Sequence, residues 1–260
     1  MEAAVKLNPN ASQVRGAQIN LQLTQGDANA AVAAARAFQV SNPGTEADLL
    51  LADTLDRAKL PAQAVAVLNK SLSDRPSNAA VLQLVRFAAR ENDNKRAANV
   101  MSTWLASHPD DAMVRLQYAT LSMEQADNAQ AIAQYQMILK KDPNNVVALN
   151  NLGWLLQESD PKRALSLLTL ALKLSPTSSD VVDTLGWLKI QQKDAAGGLV
   201  LLNQAHAMQP KDGEITYHLI VALDANSKRD AARGLLKALL ASNVAFKDRP
   251  AAVRLSTAWH

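Results

Sequence analysis

The chain has 260 residues, is 48% hydrophobic but only 4% aromatic, and carries a net charge of +3 from 27 basic and 24 acidic residues. It has no cysteine, which excludes disulfides and thiolate metal sites. Abundant Ala and Leu with sparse Gly favour helix over a β-sandwich or barrel, and bases interspersed with acids argue against a nucleic-acid surface.

Seven prolines keep time along the chain. Pro9, Pro43, Pro76, Pro109, Pro143, Pro176 and Pro210 follow one another at 33 or 34 residues. Each ends an amphipathic run, where proline cannot continue a helix and resets the chain. Small residues keep the same period. Ala31, Ala64, Ala97, Ala131, Ala164 and Gly198 form one series, and Ile19, Ala52, Val85, Ala119, Gly153 and Gly186 form an earlier one that is mostly small or apolar. Polar breaks such as "QGDAN", "QADNA" and "QESDP" separate the two series. Each period therefore predicts a helix, a turn and a second helix that approach closely. One such pair cannot bury its apolar face alone, whereas stacked pairs can.

In chain order, residues 1–9 read as the last turns of a second helix. The repeats then run 10–43, 44–76, 77–109, 110–143, 144–176, 177–210 and 211–244, and residues 245–260 form a capping helix. The predicted fold class is all-α: a right-handed α-solenoid of antiparallel helix pairs in a single array. A start in mid-repeat leads to the expectation that the chain is the C-terminal part of a longer array. "MEAAVKLNPN" holds no apolar signal core, and no apolar run approaches the roughly 18 residues of a membrane span.

A period of this length with Leu149, Leu152, Gly153, Leu156, Ala164, Leu168, Ala171 and Pro176 in place resembles the tetratricopeptide repeat. The unit from 177 to 210 offers Val182, Leu185, Gly186, Leu202, Ala205 and Pro210, and departs from the pattern at Lys189 and Gly198. In that family the first helices line a concave groove. With the Gly of "LGWL" as the eighth place, Trp154 and Trp187 are both ninth and face the groove. The resemblance implies a partner-binding groove of Asn150, Trp154, Gln157, Asp180, Asp183, Trp187, Tyr217 and Asp224, with Glu214 in the last unit; Arg86 and Arg90 make the middle locally basic. Some members clamp a partner's C-terminal carboxylate with Lys, Arg and Asn; here the matching bases are missing, and Asp180 and Asp183 would repel it. Each Trp has two readings, packing on the adjacent first helix or standing as an aromatic platform. Trp104 reads as core, and Trp259 as part of the cap or frayed.

No catalytic constellation appears. His108, His206, His218 and His260 fall apart from one another without HExxH-like spacing, and neither a nucleophile elbow nor a phosphate loop is present. His218, inside "YHLIVAL", reads as a packing or groove residue. The chain is expected to be non-enzymatic, with no cofactor and no metal.

The stretch from Asp183, with Leu185, Gly186, Trp187, Gly198, Leu199, Leu202, Ala205, Pro210, Tyr217, His218, Leu219 and the closing Phe246 segment, resembles the end of the bacterial TPR-repeat lipoprotein of the exosortase (PEP-CTERM) system. It is also similar to TPR proteins of exopolysaccharide secretion. That resemblance implies a periplasm-facing, lipid-anchored interaction scaffold for a protein or peptide partner. A glycan-contacting module with stacking aromatics and a cytoplasmic adaptor are the alternatives.

Overall fold

The computed structural model describes residues 12–259, so the reading of residues 1–9 lies outside the described residues. Fifteen helices and no strand occur among the described residues. They are α1 (Ser12–Thr24), α2 (Ala28–Ser41), α3 (Thr45–Arg57), α4 (Pro61–Asp74), α5 (Asn78–Arg90), α6 (Asn94–Ser107), α7 (Ala112–Glu124), α8 (Asn128–Lys141), α9 (Val146–Leu156), α10 (Pro161–Leu174), α11 (Ser179–Gln191), α12 (Ala195–Met208), α13 (Gly213–Ala225), α14 (Arg229–Ala241) and α15 (Arg249–Ala258). No helix is long and apolar enough to cross a membrane.

Local chemistry sets the boundaries. Asp27, Asp93, Asp111, Asp127, Asp160, Asp194 and Asp212 stand at N-caps and accept backbone N–H bonds, satisfying donors that a helix start leaves open. The periodic prolines from Pro43 to Pro210 sit between helices, whereas Pro61, Pro161 and Pro250 open α4, α10 and α15. At a helix start the missing N–H costs nothing. The turn inside most pairs contains one residue of positive φ: Gly26, Lys59, Asn92, Ala126, Lys193 and Ser227. Only the first is glycine, so this turn is invisible to a search for Gly.

The chain divides into two compact units, one ending at Gln125 and the other beginning at Ala126. In the first, α1 packs on α2, α3 on α4 and α5 on α6, and the first helices α1, α3, α5 and α7 lie in a row. In the second, α9 pairs with α10, α11 with α12 and α13 with α14, the first helices α9, α11 and α13 follow one another, and α15 packs on α14.

Both series of small residues are buried: Ala31, Ala64, Ala97, Ala131 and Ala164 are fully enclosed, as are Ala52 and Ala119. A Cβ built on Gly153 would lie 2.6 Å from Leu168 Cγ, and one on Gly186 2.8 Å from Leu202 Cγ. The LG of each "LGWL" therefore admits a leucine of the following helix. Gly198 is held equally close, since an added Cβ would approach the Gly186 carbonyl oxygen to 2.9 Å.

Candidate functional site

In the second unit, the row of first helices meets the chain's own C-terminal segment. A cavity of about 710 Å³ lies there, lined by Trp154 and Gln157 of α9, Asp183, Thr184 and Trp187 of α11, Glu214 and His218 of α13, and residues 244–248.

Gly213 lets this segment in. A Cβ on it would lie 2.9 Å from Phe246 Cβ, so the Phe246 ring seats at the start of α13, 6.3 Å from the Tyr217 ring. Arg249 holds the preceding bend, donating to the Leu240 carbonyl at 2.9 Å and the Val244 carbonyl at 3.1 Å. Lys247 then projects back across the row, with its Nζ 5.2 Å from the centre of the Trp154 ring. That is a cation–π contact.

Trp187 stacks on His218, centroids 4.2 Å apart and planes 21° from parallel. His218 is buried, and its Nδ1 lies 2.9 and 3.0 Å from the two Asp183 oxygens. A carboxylate only accepts, so Nδ1 carries the proton and donates. One turn earlier on α13 stands Glu214, half-buried, whose Oε2 accepts the backbone N–H of Asp248 at 3.3 Å. Burial pushes the Glu214 carboxyl above its usual range and the neighbouring Asp248 charge pushes the same way, against the pull of the Asp248 N–H and of His218. Burial likewise raises the Tyr217 phenol.

Of the expected groove residues, Trp154, Gln157, Asp183, Trp187 and Glu214 come together on this cavity. The others lie elsewhere. Asn150 is half-buried and donates to Asn151 Oδ1 at 3.3 Å, and its own Oδ1 is buried without a hydrogen-bond partner. Asp180 is exposed in the first turn of α11, accepting from Ser179 Oγ. Tyr217 is buried among Ile220, Ala232 and Leu236 beneath Phe246. Asp224 is engaged by Arg229 Nε at 2.7 Å. Trp104 is half-buried, stacked on His108 at 3.7 Å and donating to Asp111 Oδ2; Trp259 packs in the terminal cluster beneath Arg229. Sequence reasoning did not bring Lys211, Thr184 or residues 244–248 to the site. The last of these arrive from the end of the last repeat and the capping segment, which no repeat register places.

Antiparallel helix pairs repeated at a fixed period define an all-α solenoid of the interaction-scaffold class, whose rows of first helices form extended binding surfaces. The Tetratricopeptide repeat family matches residues 17–80, 82–146 and 116–179, and the chain belongs to that family. No curated protein matches the sequence. Among solved structures, a tetratricopeptide repeat protein from Parabacteroides merdae is 12% identical with a TM-score of 0.62, covering 95% of this chain and 97% of its own. PilW, described as a widely conserved type IV pilus biogenesis factor, is 17% identical with a TM-score of 0.63, covering 79% and 96% respectively. The MamA protein is 16% identical with a TM-score of 0.53, covering 65% and 97%. At these identities the likeness is one of fold. Tetratricopeptide-repeat proteins are generally non-catalytic scaffolds, and the fold supports binding of protein partners.

Proposed function

We propose that the second unit binds an extended segment of a partner protein against Trp154 and Trp187, with no chemistry performed on it. One observation carries this reading: residues 246–248 of the chain itself lie across the same row of helices, placing a lysine on the Trp154 ring and a phenylalanine on Gly213. The surface thus already accommodates a basic–aromatic chain segment, and open volume remains beside it. The preferred partner segment carries Lys or Arg next to an aromatic residue, because the Trp154 and Trp187 indoles offer π-faces to cations. Tryptophan is also among the residues that dominate binding energy at interfaces.

Intrinsic Trp fluorescence of the full chain tests this, titrated with basic–aromatic peptides, acidic peptides and oligosaccharides. The expected result is a saturable change with the basic–aromatic peptides only. Replacing Trp154 and Trp187 by Ala weakens that binding at least about tenfold, on the order expected for central interface aromatics. Unchanged binding by the double variant, or a response to oligosaccharides alone, overturns the reading.

The proposal extends to setting. The resemblance of the 183–255 stretch to the exosortase-system lipoprotein supports a periplasm-facing, membrane-anchored scaffold for surface-protein sorting and exopolysaccharide export. Fractionation of the native cell checks this, and recovery of the protein in the cytoplasm overturns it.

A further inference from the structure

Glu214, His218 and Asp248 each offer a ligand atom within 4.8 Å of the others. Three independent features of this cluster point one way. The first is the imidazole. Asp183 engages Nδ1 through both oxygens, which fixes the ring and leaves Nε2 as the nitrogen able to bind. A carboxylate behind a histidine is the arrangement that orients metal-binding imidazoles and raises their basicity. The stacked indole of Trp187 holds the same ring in place from its face.

The second is Asp248. It is an N-cap residue, yet its carboxylate makes no capping bond to α15, unlike the seven capping aspartates named above. Its carboxylate lies within 4.8 Å of a Glu214 oxygen instead, and Glu214 accepts its backbone N–H. The third is that two carboxyl groups held together in half-buried surroundings need a shared proton or a cation between them. A divalent cation with a neutral imidazole and two carboxylates makes the cluster neutral.

We propose that Glu214, His218 Nε2 and Asp248 bind one divalent transition-metal ion of the zinc or manganese type, oriented by Asp183. Mixed imidazole and carboxylate ligands suit such ions, whereas an all-oxygen set would suit Mg²⁺ or Ca²⁺. Three protein ligands leave coordination open to water on the cavity side. The ion ties Asp248, which leads α15, to α13, and so clamps the C-terminal segment over the row of first helices. This site stands whatever the cavity binds, because none of its ligands is Trp154 or Trp187.

Calorimetric titration of the chelator-treated full chain with ZnCl2, MnCl2 and MgCl2 tests the proposal, followed by thermal unfolding with each ion. The expected result is one Zn²⁺ or Mn²⁺ bound per chain, a raised Tm, and no comparable effect of Mg²⁺. Asp248→Asn and Glu214→Gln, both at half-buried positions where the amide preserves shape, abolish the stoichiometric site. Asp183→Asn weakens it about tenfold or more, as loss of an orienting carboxylate does. His218→Ala empties a buried position of α13 and is therefore not the deciding variant. Asp224→Asn, a carboxylate paired with Arg229 outside the cluster, leaves binding intact. Absence of stoichiometric binding, or wild-type binding by both Asp248→Asn and Glu214→Gln, overturns the proposal. So does loss of binding on substituting His108 or His206 instead.

Discussion

The two units place different residues at the same point of the repeat. The ninth place holds Asn20, Asp53, Arg86 and Thr120 in the first unit, and Trp154, Trp187 and Val221 in the second. In the first unit the first three of these are consumed within the row. Arg57 donates to Asn20 Oδ1 at 2.8 Å, Arg86 donates to Asp53 Oδ1 at 3.2 Å, and Arg90 pairs with Asp56. In the second unit the indoles have no such reciprocal partners and meet a lysine and a histidine that come from farther along the chain. One backbone thus presents a row closed by ion pairs and a row with a cavity beside its aromatic faces.

Each unit also buries a carboxylate. Asp48 in the first accepts from Gln39 at 2.6 Å, Ser71 at 2.7 Å and Arg75 at 2.6 Å, so both of its oxygens are engaged within the fold. Asp183 in the second spends both oxygens on a single histidine that faces the cavity. The first carboxylate is a staple between α3 and α4; the second fixes the orientation of an imidazole that lines the cavity.

The sharpest way to break this contrast is Asp48→Ala. It strands the buried Ser71 hydroxyl and leaves the exposed Arg75 unpaired, at an expected cost of about 2 kcal/mol in chemical denaturation. Burial pushes the Asp48 carboxyl up, but the hydrogen bonds from Gln39, Ser71 and Arg75 and the charge of Arg75 outweigh it and hold its pKa below the usual 3.8. A lowered folded-state pKa gives stability that is present above 3.8 and is lost as pH falls through the folded value. The stability gap between wild type and Asp48→Ala therefore narrows as pH falls below about 3.8, and a gap that stays constant to lower pH sinks the staple.

A smaller effect separates the helix contacts. Unit one has Ala52 where unit two has Gly153, and Gly153→Ala drives a methyl into Leu168. The expected cost is about 1–2 kcal/mol, read from the midpoint of urea unfolding, as for other overpacked cores. No loss would mean that α10 yields and that the glycine is not set by close approach. The smallest effect is that of Arg86→Ala, which removes a half-exposed pair and lowers stability by less than about 1 kcal/mol in the same measurement. It leaves peptide binding by the second unit unchanged, whereas a loss of binding would show that the polar row of the first unit takes part.

Much of the fold was legible because periodicity is written in residues whose physics is local. Proline stops a helix by lacking its N–H, and small residues mark contacts wherever they recur, so seven helix pairs could be read from spacing alone. The left-handed turn residues were hidden: Lys59, Asn92, Ala126, Lys193 and Ser227 carry no glycine signature. The site was legible in part for the same reason. The repeat register pointed to Trp154, Gln157, Asp183, Trp187 and Glu214, which line the cavity, but it also pointed to Asn150, Asp180, Tyr217 and Asp224, which the structure keeps off it. Register gives a residue's direction on its own helix. It does not say that Arg229 will take Asp224, or that Phe246 will fold over Tyr217.

By itself, then, the sequence determined a stack of helix pairs, their boundaries and the small residues that let them touch, because each depends on chain-local rules repeated at one period. Only the tertiary structure decided that the C-terminal segment crosses the second unit, that Asp183 stands behind His218, and that Glu214 meets Asp248. Those contacts join residues about 30 or more positions apart, one of them outside the repeats, where no period relates one side chain to the other.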